Sequence, residues 1–128
     1  MSSLRLFHSL ESAVRDNNIE FIRSHVDNDK VTVEHWLELL SLSYSEGHTD
    51  TTTCIRDSGV LVLYGQLYIA CRHNDVDFVT ATISENKDSD QHVDWWNLLA
   101  TAYSHQHTDI VHCIQHSARL SLEKQLEE

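Results

Sequence analysis

The sequence predicts an all-α fold, four helix–turn–helix units packed side by side, and three observations predict it. Apolar residues recur at i, i+3/i+4 and i+7 along short segments, the pattern of a helix with one buried face. Long stretches of the chain return further on. The 128 residues contain no proline and only three glycines, Gly47, Gly59 and Gly65. A many-turned β-sandwich, a Pro-rich linker and a Gly-rich phosphate loop each need those residues for their backbone geometry, so all three are excluded.

The first unit, about residues 4–27, carries Leu6-Phe7, Leu10, Ala13 and Val14 on one helical face. Asn17 marks its turn, and Ile19, Phe21, Ile22 and Val26 form a second short helix. The second unit, about 34–57, repeats this as Trp36-Leu37, Leu40, Ser43 and Tyr44, then Gly47, then Cys54 and Ile55. The third, about 61–84, has Leu63-Tyr64, Leu67, Ala70 and Cys71, then Asn74, then Val76, Phe78, Val79 and Ile83. The fourth, about 93–117, has Trp95-Trp96, Leu99, Ala102 and Tyr103, then Gln106, then Ile110-Val111, Cys113 and Ile114. First helices are expected to start around Trp36 and Trp95, with polar connections at 27–30 and 84–90. Asn17, Gly47 and Asn74 suit a left-handed backbone at the turn, and Gln106 takes the equivalent position.

The units pair into two longer copies. Ala13…Ile22 returns 57 positions later as Ala70…Val79, and Trp36…Ile55 returns 59 positions later as Trp95…Ile114. A unit this small cannot bury its own apolar face, whereas stacked neighbours can. The element Leu4-Arg5-Leu6 returns as Leu61-Val62-Leu63 and as Leu120-Ser121-Leu122, and Gln125-Leu126 repeats Gln66-Leu67. Residues 118–128 are therefore expected to form a charged C-terminal capping helix. Leu61 and Leu63 are expected to be largely buried at the junction of the two copies.

These residues resemble the ankyrin-repeat family. Its Leu-x-x-Ala-Ala-x-x-Gly-His-x-Glu-Val-Val pattern is matched by Leu10…Ala13-Val14…Asn17-Asn18…Glu20-Phe21-Ile22 and by Leu40…Gly47-His48…Asp50. It is matched again by Leu67…Ala70-Cys71…Asn74-Asp75…Asp77-Phe78-Val79 and by Leu99…Ala102…His107…Asp109-Ile110-Val111. The resemblance covers about residues 4–117 and implies an α-solenoid with a slightly concave binding face. The family's Thr-Pro opening and the Gly-rich end feeding its β-hairpin are missing, so short loops are expected there. An α-solenoid of another type is the structural alternative.

Composition narrows function. Nine basic residues against twenty acidic give a net charge of −11, the wrong sign for a nucleic-acid backbone or an anionic membrane surface. Cys54, Cys71 and Cys113 are widely spaced without a CxxC pair, which favours a reducing, cytoplasmic or nuclear setting, and they read as small buried hydrophobes. No Gly-x-Ser-x-Gly elbow accompanies the serines. Glu20, Asp50, Asp77 and Asp109 share one repeat position at the start of second helices, where an acid complements the helix N-terminus. His105, His107, His112 and His116 lie near Asp109 and Cys113, and His112 and His116 are one helical turn apart. A solvated polar face explains them better than a metal site, and no cofactor is expected.

The expected function is a non-enzymatic protein–protein interaction module of adaptor, scaffold or inhibitor type, presenting an acidic surface to a partner with a basic segment. The contact residues would be the pairs just before each turn: Arg15 and Asp16, Ser45 and Glu46, Arg72 and His73, Ser104 and His105. Trp96 is a further candidate, because a Trp-Trp pair cannot be wholly buried on one face. Trp36 and Trp95 share a position with Leu6 and Leu63 and belong to the core. The alternatives are a histidine-rich metal- or ligand-sensing domain and the interaction end of a larger protein.

Overall fold

The computed structural model describes residues 3–85 and 93–117, all of it helix, turn or loop, with eight helices and no strand among them. The chain divides into two compact units, Met1–Gln66 and Leu67–Glu128. Unit 1 holds α1 (Ser3–Arg15), α2 (Ile19–Arg23), α3 (Val33–Ser45) and α4 (Thr49–Asp57). The division falls inside α5 (Leu63–Arg72), and unit 2 continues with α6 (Val76–Ser84), α7 (Trp95–Ser104) and α8 (Thr108–Gln115). The expected capping helix at 118–128 lies outside the described residues.

Inside unit 1 two hairpins stack like on like, α1 against α3 and α2 against α4. In unit 2, α7 packs on α8 and α6 on α8. Leu10, Val14, Ile22, Leu39, Leu40 and Ile55 are sealed from solvent in unit 1, as are Leu67, Val79, Leu98, Ile110 and Ile114 in unit 2. Complete burial of one such side chain stabilises the fold by about 1.5–3 kcal/mol. Trp36 and Trp95 are core residues, as the repeat register requires.

All four turns have one geometry. Asn17, Gly47, Asn74 and Gln106 have φ of 55°, 71°, 59° and 61°. Beyond each, a backbone N–H reaches five residues back: Asn18 to Ala13, His48 to Ser43, Asp75 to Ala70, His107 to Ala102, at 2.7–3.1 Å. This is the Schellman closure, which satisfies carbonyls that a helix end would leave bare.

Several details differ from the sequence reading. α3 starts at Val33, three residues before Trp36, because Thr32 and His35 form a capping box. Its two bonds are His35 N–H to Thr32 Oγ1 (3.2 Å) and Thr32 N–H to His35 Nδ1 (3.4 Å). α7 does begin at Trp95, where Asp94 Oδ1 accepts from the Asn97 N–H at 3.1 Å. Leu61 is 4% exposed, but Leu63, expected to be largely buried, is only half-buried as the first residue of α5. Cys71 is buried, whereas Cys54 on α4 and Cys113 on α8 are only half-buried.

Candidate functional site: the turn ridges

Each left-handed turn stops a first helix and aims its last residues outward. Arg15, Asp16, Ser45, Glu46, Arg72, Ser104 and His105 are exposed there, while His73 is half-buried, less open than its position suggested. Within unit 1 the Arg15 Nε and Glu46 Oε1 atoms approach to 3.8 Å across two successive turns. Both side chains are largely solvated, so the pair contributes little stability.

Unit 2 displays different chemistry at the same positions. The Glu46 position is His105, and the Asp16 position is His73. Burial, the Arg72 guanidinium, and the His105 and His107 rings all push the His73 imidazole below its ordinary pKa of 6.5. The His105 and His107 rings stack with centroids 6.0 Å apart. His105 Nδ1–H donates to the Thr101 carbonyl at 2.9 Å, which leaves Nε2 as the ring's second polar atom.

A histidine one residue past the turn ties each hairpin pair together. His48 Nε2–H donates to the Arg15 carbonyl at 2.9 Å, and His107 Nε2–H donates to the Arg72 carbonyl at 3.0 Å. A carbonyl only accepts, so both rings carry the proton on Nε2. Each bond satisfies a carbonyl in the last turn of α1 or α5 that the helix cannot reach. The odd hairpins handle that residue differently. Asn18 and Asp75 cap their own helices, accepting from the Phe21 N–H (3.2 Å) and the Phe78 N–H (3.1 Å). Side-chain capping of α2 and α6 thus comes from Asn18 and Asp75. The four acids sit in the first turn and act through the helix dipole. The His bridge was invisible in the sequence, although His48 and His107 recurring at one position was the available signal.

The remaining candidates are dispersed. His112 and His116 are exposed on α8 and its C-cap, with ring centroids 6.0 Å apart. Among the described residues no group of three or more His, Cys, Asp or Glu side chains is placed to hold a metal. Trp96 is half-buried, and its Nε1 is buried without an acceptor among the described residues. Burial raises the Cys71 thiol to about pKa 12, with nearby Cys113 adding to the shift, so Cys71 stays protonated and inert. No helix of the described residues is long and apolar enough to cross a membrane. No family model, no curated protein and no solved structure matches the chain.

Proposed function

We propose that the chain is a non-enzymatic protein–protein interaction module, an α-solenoid of four ankyrin-like repeats whose turn ridges make the contact. The supporting observation is the recurrence of one left-handed turn at Asn17, Gly47, Asn74 and Gln106, each displaying a different pair of side chains. A rigid backbone with variable exposed residues is how repeat proteins bind partners. The partner is an intracellular protein with a basic segment. Its natural seat is the unit 1 ridge, where Asp16, Glu20, Glu46 and Asp50 are all exposed. The overall charge of −11 steers such a segment inward and repels nucleic acid.

A second reading rests on Trp96, whose buried Nε1 lacks an acceptor among the described residues and whose ring offers an apolar contact. One experiment separates the two. Proteins retained from lysate are compared for the wild type, for Asp16→Arg with Glu46→Arg, and for Trp96→Ala, at about 0.05 and 0.3 M salt. The ridge reading expects loss on charge reversal and weakening with salt, because charges beyond about 8 Å are screened at 0.15 M. Binding that is flat in salt and collapses only in Trp96→Ala establishes the aromatic reading instead.

A further inference from the structure

In unit 1, α2 packs on α4, and a groove of about 490 Å³ lies along the two. From α2 and the turn after it come Ile19, Arg23 and Val26; from α4 come Asp50, Cys54 and Asp57. Ile19, Val26 and Cys54 are half-buried, while the three charged residues are exposed. Among the described residues no hydrogen bond or ion pair occupies the Arg23 guanidinium or either carboxylate.

Asp57 is poorly placed for its own helix. It is the last residue of α4, where the helix dipole favours a cation over an anion. Its counterpart in unit 2 is His116, which suits a helix C-terminus, and the counterpart of Arg23 is Thr80. In unit 2 those two helices touch at this point, with Thr80 Oγ1 3.5 Å from the Sγ of Cys113, the counterpart of Cys54. Unit 1 therefore keeps, beside a groove, an unpaired acid that its helix disfavours.

We infer that this groove seats the partner's basic segment in extended form, with two Lys or Arg residues three positions apart. The inference rests on the basic-partner reading above and adds where the segment lies and how its charges are spaced. Asp50 and Asp57 are two helical turns apart, about 10.5 Å along the axis of α4. A polyproline II segment repeats its orientation every third residue, over about 9.3 Å, so one face brings a cation to each carboxylate. A helical partner with cations at i and i+7 matches the same interval. Two turns of a helix about 10 Å wide, however, fill about 800 Å³, well beyond the groove. Between the cations an aliphatic side chain meets Ile19, Val26 and Cys54. The Arg23 N–H groups donate to carbonyls that a polyproline II backbone leaves free.

The test titrates the isotope-labelled full chain, at low salt, with two end-capped peptides of one composition and charge, and follows backbone amide shifts. The spaced peptide is Gly-Ala-Arg-Pro-Leu-Arg-Ala-Gly, and the control is Gly-Ala-Pro-Leu-Arg-Arg-Ala-Gly. The spaced peptide should shift amides of α2 and α4 and bind about threefold or more tighter than the control, the effect of one exposed ion pair. Asp57→Asn should bring the two peptides to equal affinity while melting no lower than wild type. Arg23→Gln should weaken the spaced peptide about twofold, whereas attraction by net charge alone would tighten it. Equal affinities of the two peptides for wild type overturn the inference, and so does tightening by Arg23→Gln. Shifts confined to residues 15–17 and 45–47 overturn it and leave the ridge reading standing, while no binding of either peptide overturns both. Should Asp57→Asn lose its helical signal, the wild-type peptide comparison and Arg23→Gln decide.

Discussion

Where unit 1 buries Ser43 and Thr52, unit 2 buries Ala102 and Val111, and where unit 1 buries Thr51, unit 2 buries Ile110. The two units share the turn conformation and the His bridge. In unit 1 the hydroxyls are all partnered. Ser43 and Thr52 share a 2.7 Å bond, Ser43 Oγ donates to the Leu40 carbonyl (2.6 Å) or Thr52 Oγ1 to the His48 carbonyl (3.1 Å), and Thr51 Oγ1 donates to Asn17 Oδ1 at 2.6 Å. Unit 2 fills the same positions, where α7 and α8 pack together, with apolar side chains. The difference teaches that these buried positions accept either polar or apolar side chains, provided each buried hydroxyl finds a partner.

The largest expected effect tests whether the scaffolds are equivalent. Leu39 and Leu98 occupy one repeat position and are both fully buried, so Leu39→Ala and Leu98→Ala should each cost about 2–5 kcal/mol. Denaturant titration of both variants checks this, and a cost confined to one unit would break the comparison. Next in size is the polar interior. Ser43→Ala alone removes a partner of the Thr52 hydroxyl and should cost about 1–2 kcal/mol. Ser43→Ala with Thr52→Val installs the unit 2 pair and should return to within about 1 kcal/mol of wild type. A double variant as unstable as the sum of its singles would show that unit 1 depends on its hydroxyls.

The turns give a smaller and opposite effect. Gln106 holds a positive φ without a glycine's freedom, so Gln106→Gly should stabilise unit 2 by up to about 1 kcal/mol. Asn17→Gly should not stabilise unit 1, because it also removes the acceptor for Thr51. Thermal melts of the two variants should move in opposite directions.

The smallest effect is electrostatic and belongs to unit 2. His73 has a lowered pKa in the fold, through burial and its cationic and imidazole neighbours. Below the unfolded value of about 6.5 the unfolded chain binds that proton more readily. The stability tied to the neutral ring is thus fully present above about pH 6.5 and is lost as pH falls through the folded pKa. Melting from pH 7.5 to 5 should fall more steeply for wild type than for His73→Gln. Parallel slopes would remove His73 from the account.

Much of the architecture was legible in the sequence. The spacing of Leu10, Ala13 and Val14 and its three returns set the helical hairpins, because an apolar face at 3.6-residue spacing has one low-energy solution. The turn residues were legible too, since Asn and Gly mark left-handed backbone and the register carried that conformation to Gln106. Burial of Trp36, Trp95 and Leu61 followed from the same register. What tertiary structure alone decided are the features that join one hairpin to the next. The His48 and His107 bridges span 33 and 35 residues, and nothing local says that an imidazole will face the end of an earlier helix. The Ser43–Thr52 pair looked like two unremarkable polar residues until packing brought them together away from water. The lowered pKa of His73 depends likewise in part on His105 and His107, contributed by another hairpin. Local periodicity fixes what each segment becomes, because backbone sterics and apolar faces act over a few residues. Which polar groups meet is fixed only when segments distant in the chain are brought within 3 Å of one another.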